Sequence, residues 1–173
     1  ITSAKVKELG INVGATIVGI AAADDFTGAP EGCRPADKLQ DCRSVIVLGS
    51  PFPRKALAKR TVEYTVIRNG MVEKMEKAAK DVATNIKQSG YQTKVIGGLG
   101  GKRINGRFYG HISVKHAAEL AGLGSITRND LLTNPRYGNL LWFSAVLTDA
   151  DLSPDKKSQF NVCDACDKCV AVC

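Results

Sequence analysis

The chain is predicted to form one layered α/β domain followed by a short cysteine-rich appendage. Two observations carry this prediction: strand patterns alternate with helical patterns along the chain, and four of the six cysteines lie within the last eleven residues. The 173 residues, of which 44% are hydrophobic, suffice for one well-packed core. We therefore expect an α/β core over residues 1–152, and a linker with the appendage over residues 153–173. Periodicity leaves parallel and antiparallel strand pairing open.

The first two predicted strands flank a polar loop. Residues 3–9 have the pattern of a short helix, which Gly10 is expected to end. Residues 16–22 and 44–50 are apolar runs bounded by turn residues, which predicts two buried strands. Between them, residues 28–35 are rich in glycine and proline and are expected to form a loop.

The middle of the chain predicts a helix and a third strand. Apolar side chains recur there at helical spacing, at Val72, Met75, Ala79, Val82 and Ile86. Gly90 is the expected end of this helix, and residues 91–96 alternate as a strand. Residues 97–101 contain four glycines, so we expect a flexible connection that acts as a lid or approaches a ligand closely.

The last part of the core predicts a helix and the strongest strand. Ser113 is a suitable N-cap for a helix through Ala121, which Gly122 and Gly124 would end. The apolar run 140–148 is the clearest strand in the chain. A polar linker, 149–160, then leads to the cysteines.

Charge and hydropathy limit the possible partners and the cellular compartment of the protein. Lys and Arg outnumber Asp and Glu by 24 to 17, which gives a formal net charge of +7. This excess suits a polyanionic partner such as RNA, and it is equally compatible with a generally basic, solvated surface. No apolar run approaches the roughly twenty residues that a transmembrane helix needs. We expect a soluble, cytoplasmic protein without a membrane partner.

The terminal cysteines have the spacing of iron–sulfur ligands. The pattern C-x₂-C-x₂-C-x₃-C places Cys163, Cys166, Cys169 and Cys173 in the bacterial ferredoxin order, so these four are the predicted ligands of a 4Fe-4S cluster. Structural zinc sites usually separate two ligand pairs by a dozen or more residues, whereas these four cysteines lie within eleven residues. Disulfide frameworks are typical of secreted chains much shorter than this one. The cysteines therefore indicate electron transfer.

The remaining cysteines and the ends of the chain carry further expectations. Cys33 and Cys42 lack ligand spacing and are expected to be free thiols in a reducing compartment. In two-cluster proteins the fourth cysteine ligates the other cluster, whose further ligands would lie beyond Cys173. Because the chain also begins at Ile1, we expect it to be part of a longer protein with two clusters.

Several segments together resemble one known family. They are the segment 110–124 with its Ala-Gly-Leu-Gly end, the segments 129–132 and 137–138, the strand end 145–149, the upstream segments 28–32, 34–35 and 43–46, and the cysteine run. This combination resembles the epoxyqueuosine reductase family and its shorter relatives.

The resemblance implies a fold, cofactors and partners. It implies a nitroreductase-like cobalamin-binding core, related to that of reductive dehalogenases, followed by the start of a ferredoxin-like module with 4Fe-4S clusters. The cofactor beside the clusters would be cobalamin or, alternatively, FMN. A low-potential donor such as ferredoxin or flavodoxin would supply electrons, the substrate would be a modified tRNA base or a small molecule, and analogy with the fold implies a possible homodimer.

The sequence departs from the family at one place. The tRNA enzymes carry an aspartate as proton donor shortly before the Ala-Gly-Leu-Gly helix, whereas this chain has Phe108, Tyr109 and His111 there. The substrate therefore stays open. Tyr109 and His111 are the candidate catalytic residues, with a half-buried aromatic and a helix-entry histidine as the plain alternatives. His116, in the middle of the predicted helix, is expected to be structural or exposed.

The residues expected to contact a cofactor lie around this helix. The resemblance implies a corrinoid against the corner formed by the helix and its flanking turns, and the candidate contacts are Gly110, Ser113, Gly122, Leu123 and Gly124. Three functions are compatible with these observations: an iron–sulfur reductase, a non-catalytic 4Fe-4S electron carrier, and a protein that binds or activates cobalamin.

Overall fold

The computed structural model describes residues 1–98, 101–164 and 166–172, with the backbone alone at positions 102 and 104. The helices are α1 (Ser3–Asn12), α2 (Thr61–Gln88), α3 (Val114–Leu120) and α4 (Lys168–Val172). The strands are β1 (Ile17–Ala22), β2 (Ser44–Pro51), β3 (Thr93–Ile96), β4 (Gly101–Ile104), β5 (Arg107–Gly110), β6 (Ser125–Ile126), β7 (Leu132–Thr133) and β8 (Leu141–Thr148).

A four-stranded antiparallel sheet forms the centre of the molecule. Its strand order is β1-β2-β8-β3, and Ile46 of β2 lies between Ile20 of β1 and Val146 of β8. The chain makes a long excursion between β3 and β8, two neighbours in the sheet, and this excursion carries the hairpin β4–β5, helix α3 and the short pair β6–β7. The predicted α/β class is confirmed, and the pairing that periodicity left open is antiparallel.

Helices cover both faces of this sheet. Ile46 and Leu48 of β2 pack into a core with α1 and α2, whereas Val45 and Val47 pack into a second core with α3. All four side chains are fully buried, and burying each one stabilises the fold by about 1.5–3 kcal/mol. Because neighbouring side chains on a strand point to opposite faces, a strand of continuous apolar residues belongs between two helical layers.

Helix α1 does not end at Gly10, as the sequence suggested. It continues to Asn12, and Gly10 is buried against β1 and β2. A Cβ at Gly10 would lie 2.7 Å from Val18 Cγ2 and 2.8 Å from Leu48 Cδ2. The glycine is therefore needed for close helix–sheet packing rather than for a helix end.

Helix α2 is longer than its apolar stripe. It begins at Thr61, eleven residues before Val72, where the predicted stripe begins, and it ends before Gly90 as predicted. Its buried residues begin at Met71, whereas its first six residues are exposed. The Glu63 carboxylate accepts the backbone N–H of Arg60 at 3.4 Å, which supports the exposed start.

The predicted strands β1, β2, β3 and β8 and helix α3 are present within two residues of their expected bounds. The glycine-rich connection differs from its prediction, because Gly101 already begins β4. Strands β4 and β5 form a hairpin whose turn residues Asn105 and Gly106 both have positive φ, at 49° and 79°. Leu99 and Gly100 of the predicted lid lie outside the described residues.

The start of the predicted linker is attached to the free edge of β1. Asp155 N donates to Ile20 O at 2.8 Å, and Ile20 N donates to Asp155 Oδ2 at 2.9 Å. The other carboxylate oxygen, Asp155 Oδ1, pairs with Lys7 Nζ of α1 at 2.5 Å. The division into residues 1–152 and 153–173 stays a prediction, as does the ferredoxin-like module. Within the described part of the chain, none of the helices is long and apolar enough to cross a membrane.

Candidate functional site

A cavity of about 390 Å³ opens between α3, the end of β5 and the loop after β1. Its apolar wall consists of Phe26, Gly28, Ala29, Pro30, Gly110 and Leu120. Its polar groups are Asp25, Cys33, Tyr109, Ser113, His116 and Glu119. A mostly apolar cavity with a few converging polar groups is the usual form of a small-molecule site, and we name it the first cavity.

The first cavity contains a histidine that is held by a serine. Ser113 precedes α3, and its Oγ lies 2.6 Å from His116 Nδ1 one turn later. The helix is anchored behind this pair by Ala117 and Ala118, which are fully buried against the sheet. The predicted N-cap residue is thus at the expected place, but its hydroxyl bonds to an imidazole.

Three further polar groups are fixed around this pair. Glu119 Oε1 accepts the backbone N–H of Ile126 at 2.6 Å, and the buried Cys33 Sγ lies 3.6 Å from Gly110 O. Tyr109 is half-buried in the same wall. The structure therefore brings the predicted residues Tyr109, Gly110 and Ser113 together.

A second cavity of about 500 Å³ lies on the other side of the segment 110–113. Gly110 and Ser113 line both cavities, and the second one is walled mainly by apolar and aromatic side chains: Phe108, Ile112, Val114, Leu131, Leu141, Trp142 and Phe143. Lys115 is its one charged lining residue among those described. The guanidinium of Arg68 lies 5.8 Å from the Trp142 ring centroid, a cation–π distance.

A loop connects the second cavity to the cysteine segment. Lys115 Nζ donates to Asp130 Oδ2 at 2.5 Å and to Asp130 O at 2.8 Å. This hydrogen bond and the charge of Lys115 lower the pKa of the Asp130 carboxyl. In the same loop Arg128 forms an ion pair with Asp167, which lies between Cys166 and Cys169. The loop thus contacts both α3 and the cysteines.

The cysteine segment presents three free thiols. Cys163, Cys166 and Cys169 are partly exposed. The backbone N–H of Cys166 donates to Cys163 O at 3.2 Å, and Cys169 lies on α4. Among the residues that the structure describes, no three His, Cys, Asp or Glu side chains are gathered into a metal site. The fourth predicted ligand, Cys173, lies outside the described residues. The ligand assignment stays a prediction.

The glycines after α3 contact protein backbone. A Cβ on Gly122 would collide with Lys156 O, and one on Gly124 would collide with Thr133 O. Leu123 packs against the α3-side core. These three predicted cofactor contacts are therefore not among the residues that line either described cavity, and their role toward a cofactor stays a prediction.

The two histidines differ in position. His111 is exposed and does not belong to the lining of either described cavity, whereas His116 lines the first one. Sequence reasoning favoured His111 because it follows Gly110. Ser113 and His116 are three residues apart at the start of a helix, a spacing that places two side chains next to each other. This spacing is the feature of the sequence that could have predicted their hydrogen bond.

Cys33 and Cys42 are free thiols, as expected. Burial raises the pKa of the Cys42 thiol to about 11, and the nearby backbone hydrogen bonds only partly offset this effect. Cys42 is therefore an inert core residue. Cys33, in contrast, belongs to the first cavity.

Comparison with known proteins identifies relatives of the chain. No family model matches the chain. An epoxyqueuosine reductase of Lactococcus garvieae is 25% identical over 153 residues, which cover 83% of this chain and 40% of that protein. One from Bacillus subtilis is 31% identical over 64 residues, 37% of this chain and 16% of that protein. A tetrachloroethene reductive dehalogenase of Desulfitobacterium hafniense is 33% identical over 102 residues, 57% of this chain and 16% of that protein.

Solved structures extend the likeness to the whole fold. The epoxyqueuosine reductase of Streptococcus thermophilus superposes with a TM-score of 0.71 at 15% identity, over 98% of this chain and 51% of that one. An epoxyqueuosine reductase solved with a modified tRNA stem loop gives 0.66 at 18% identity, over 97% and 50%. A reductive dehalogenase whose structure suggests a mechanism for B12-dependent dehalogenation gives a TM-score of 0.67 at 21% identity, over 97% of this chain and 24% of that one.

The chain therefore has the α/β fold shared by epoxyqueuosine reductases and reductive dehalogenases. Its sequence is also similar to that of epoxyqueuosine reductases, so the resemblance that its motifs predicted is confirmed. It spans 16–40% of the length of the curated relatives described above, and about half of the epoxyqueuosine reductases of known structure.

Proposed function

We propose that this chain is the core of an iron–sulfur reductase that cleaves a carbon–oxygen or carbon–halogen bond with the help of a corrinoid. The main support is that one fold, covering at least 97% of the chain, is shared with an epoxyqueuosine reductase and with a B12-dependent reductive dehalogenase. The names of both kinds of relative describe reduction of a substrate that carries such a bond. The first and second cavities supply space for ligands beside α3.

The donor chemistry of the cysteine segment fits an iron–sulfur cluster. Cys163, Cys166 and Cys169 are free, accessible thiols at two-residue gaps, and thiolates are the ligands that such clusters prefer. Their place is also appropriate, because the ion pair between Asp167 and Arg128 holds the segment at the loop that contacts α3. Electrons that arrive at the cysteines would therefore enter the core beside the cavities.

The lining of the two cavities fits a flat, largely apolar ligand. Glycine, alanine and proline backbone forms one wall of the first cavity, and aromatic rings form most of the second. Gly98 packs closely against the wall of the second cavity, since a Cβ there would lie 3.0 Å from Phe143 O and 3.1 Å from Trp142 Nε1. A corrinoid, when bound, supplies the cobalt centre that performs the reduction. The chain itself would bind and orient the ligands through the residues that line the two cavities.

The substrate is best matched by a small molecule or by a single base of a nucleic acid. A cavity of about 390 Å³ lies at the lower end of the usual range for small-molecule sites. The excess of basic residues leaves a tRNA substrate compatible with the chain. We propose a low-potential ferredoxin or flavodoxin as electron donor, and cytoplasmic location, a second cluster and a homodimer remain proposals of the same kind.

The cluster is tested on anaerobically purified full-length protein. We expect bound iron and sulfide with broad visible absorption, and loss of most of both in Cys166→Ala. Cys42→Ala is the matched control, because it removes a thiol that is buried in the core and should leave the iron content unchanged. Equal iron in the wild type and Cys166→Ala would refute the ligand assignment.

The corrinoid is tested by titrating cob(II)alamin into the same protein. Saturable binding followed by reductive turnover of either relative's substrate class supports the enzyme. Binding without turnover supports a cobalamin-handling protein, and a loaded cluster without corrinoid or flavin binding supports an electron carrier. Either of the last two outcomes would overturn the proposed reductase.

A further inference from the structure

We propose that His116, positioned by Ser113, is the proton donor of the first cavity. This inference rests on the proposed reductase and adds the residue that completes its chemistry. The sequence-based candidates were His111 and Tyr109, and His116 was expected to be structural or exposed; it is exposed, and the inference adds a role for it. Three observations carry it: the place of His116 in the cavity wall, its bond to Ser113, and its exposure to solvent.

The geometry fixes one ring nitrogen and leaves the other for a ligand. His116 Nδ1 lies 2.6 Å from Ser113 Oγ, so that atom is occupied by an intramolecular hydrogen bond. No contact with Nε2 is found among the described residues. Because α3 is anchored by the buried Ala117 and Ala118, the pair is held at a fixed place on the cavity wall. A proton donor needs this kind of positioning toward the reacting atom.

The exposure of His116 explains how the proton would be replaced. A donor sealed inside a protein delivers one proton and then needs a relay, whereas a histidine at the mouth of a cavity exchanges protons with water directly. Histidine is the side chain whose charge changes most readily near neutral pH. A residue that is both exposed and part of the cavity lining satisfies both requirements.

The charged and titratable groups around His116 come from several elements. In the cavity they are Asp25 after β1, Cys33 in the following loop, Tyr109 at the end of β5, and Glu119 on α3 itself. On the outer side, Lys115 and Asp130 form an ion pair.

The proposed step balances as follows. Two electrons arrive from the reduced iron–sulfur donor, and one proton leaves the His116 imidazolium. For a carbon–halogen bond, the bond breaks, the halide departs with its electron pair, and the proton from His116 forms a carbon–hydrogen bond. For an epoxide, both carbon–oxygen bonds break, the two electrons form a carbon–carbon double bond, and the oxygen leaves as water after taking one proton from His116 and one from solvent. His116 is then neutral and regains a proton from water.

The first experiment needs no substrate. The chain contains two histidines, so ¹⁵N-labelled imidazole signals can be assigned by His111→Gln and His116→Gln. Ser113→Ala should shift the ring signals of His116 and their pH titration, and leave those of His111 in place. Unchanged His116 signals would show that the pair does not form in solution, and would overturn the inference.

The second experiment uses the holoprotein, a low-potential chemical reductant, and two probes: an epoxyqueuosine-modified tRNA stem loop and tetrachloroethene. For the probe that the wild type reduces, His116→Gln should lower kcat by roughly 10²–10⁴-fold, the usual contribution of a general acid, with little change in KM or in cofactor content. Ser113→Ala, which removes only the positioning bond, should lower kcat by about fivefold.

The pH profile separates a proton donor from a structural residue. A general acid must be protonated, so the wild-type rate should fall as the pH rises, and this fall should disappear in His116→Gln. If His111→Gln loses the activity and His116→Gln keeps it, the inference is wrong and the sequence-based candidate holds. If the wild type reduces neither probe, the proposed function fails first, whatever the imidazole signals show.

Discussion

The attachment of Asp155 to β1 makes a quantitative prediction. In Asp155→Ala the backbone N–H of Ile20 loses its acceptor, and because Ile20 is fully buried, water cannot easily replace it. An unsatisfied buried donor costs about 1–3 kcal/mol. The lost pair with Lys7, which is about one-third exposed, adds about 0–1 kcal/mol. We expect the free energy of unfolding to fall by about 1–4 kcal/mol, and Tm by about 2–4 °C for each kcal/mol lost in a domain of this size.

Two control variants divide this cost between its causes. Asp155→Asn keeps an oxygen for Ile20 N and should cost less than about 1 kcal/mol, and Lys7→Ala, which removes only the ion pair, should cost equally little. The assay is urea and thermal unfolding followed by circular dichroism. If Asp155→Asn is as damaging as Asp155→Ala, the hydrogen bond to the edge strand is not the cause, and the reasoning fails.

Three further predictions concern packing, burial and the cysteine segment. Gly10→Ala should destabilise the protein by about 1–2 kcal/mol, because its methyl group would overlap buried side chains. Gly70→Ala, whose methyl group meets open space on α2, should stabilise it by about 0.5–1 kcal/mol. Urea unfolding of both variants checks whether the free energy of unfolding changes in opposite directions. Burial raises the pKa of the Cys42 thiol to about 11 from an ordinary 9.0. The unfolded chain therefore loses this proton first, and the free energy of unfolding should fall as the pH rises from 9 toward 11. In urea unfolding measured across this pH range, Cys42→Ala should show a smaller fall. Arg128→Ala removes the exposed ion pair with Asp167 and should change global stability by less than about 1 kcal/mol, while limited proteolysis of the cysteine segment becomes faster; an unchanged cleavage rate would mean that the pair does not hold the segment.

The sequence predicted the elements whose local pattern and burial agree. Strands β2 and β8 are continuous apolar runs, and the structure buries both between helical layers. The start of α2 escaped prediction because Val62 and Val66 face solvent, so no apolar stripe marks its first turns. Gly10 was misassigned because a glycine that ends a helix and one that permits close packing look alike without the tertiary contacts.

The hairpin β4–β5 has a recognisable turn signal in the sequence. Asn105-Gly106 is the preferred sequence for a two-residue turn with positive φ at both positions, and short strands flank it. Recognising that turn would have placed Tyr109 and Gly110 at the end of a strand, beside the helix that follows. The strand order, in contrast, could not be predicted, because β3 and β8 meet only after the chain has returned from a long excursion.

The site was predicted in part, for a physical reason. Tyr109, Gly110 and Ser113 are close in sequence and also lie together in the first cavity, so local reasoning sufficed for them. The other wall, contributed by Phe26 and Cys33, comes from a loop about eighty residues earlier, and no pattern along the chain reveals such a contact. Only the folded chain shows that His116, and not His111, lines the cavity beside this wall, and the catalytic role of His111 stays a prediction.

The corner after α3 anchors the start of the linker that leads to the cysteines. A Cβ on Gly19 would collide with Ala121 O, and one on Gly122 would collide with Lys156 O, so β1, the end of α3 and the start of the linker are in direct backbone contact. Asp155 attaches the same linker to β1. The linker is therefore anchored at residues 155–156 on β1 and on the end of α3, the helix that carries His116. These backbone contacts account for glycine at positions 19 and 122, and the role of Gly122 and Gly124 toward a cofactor stays a prediction.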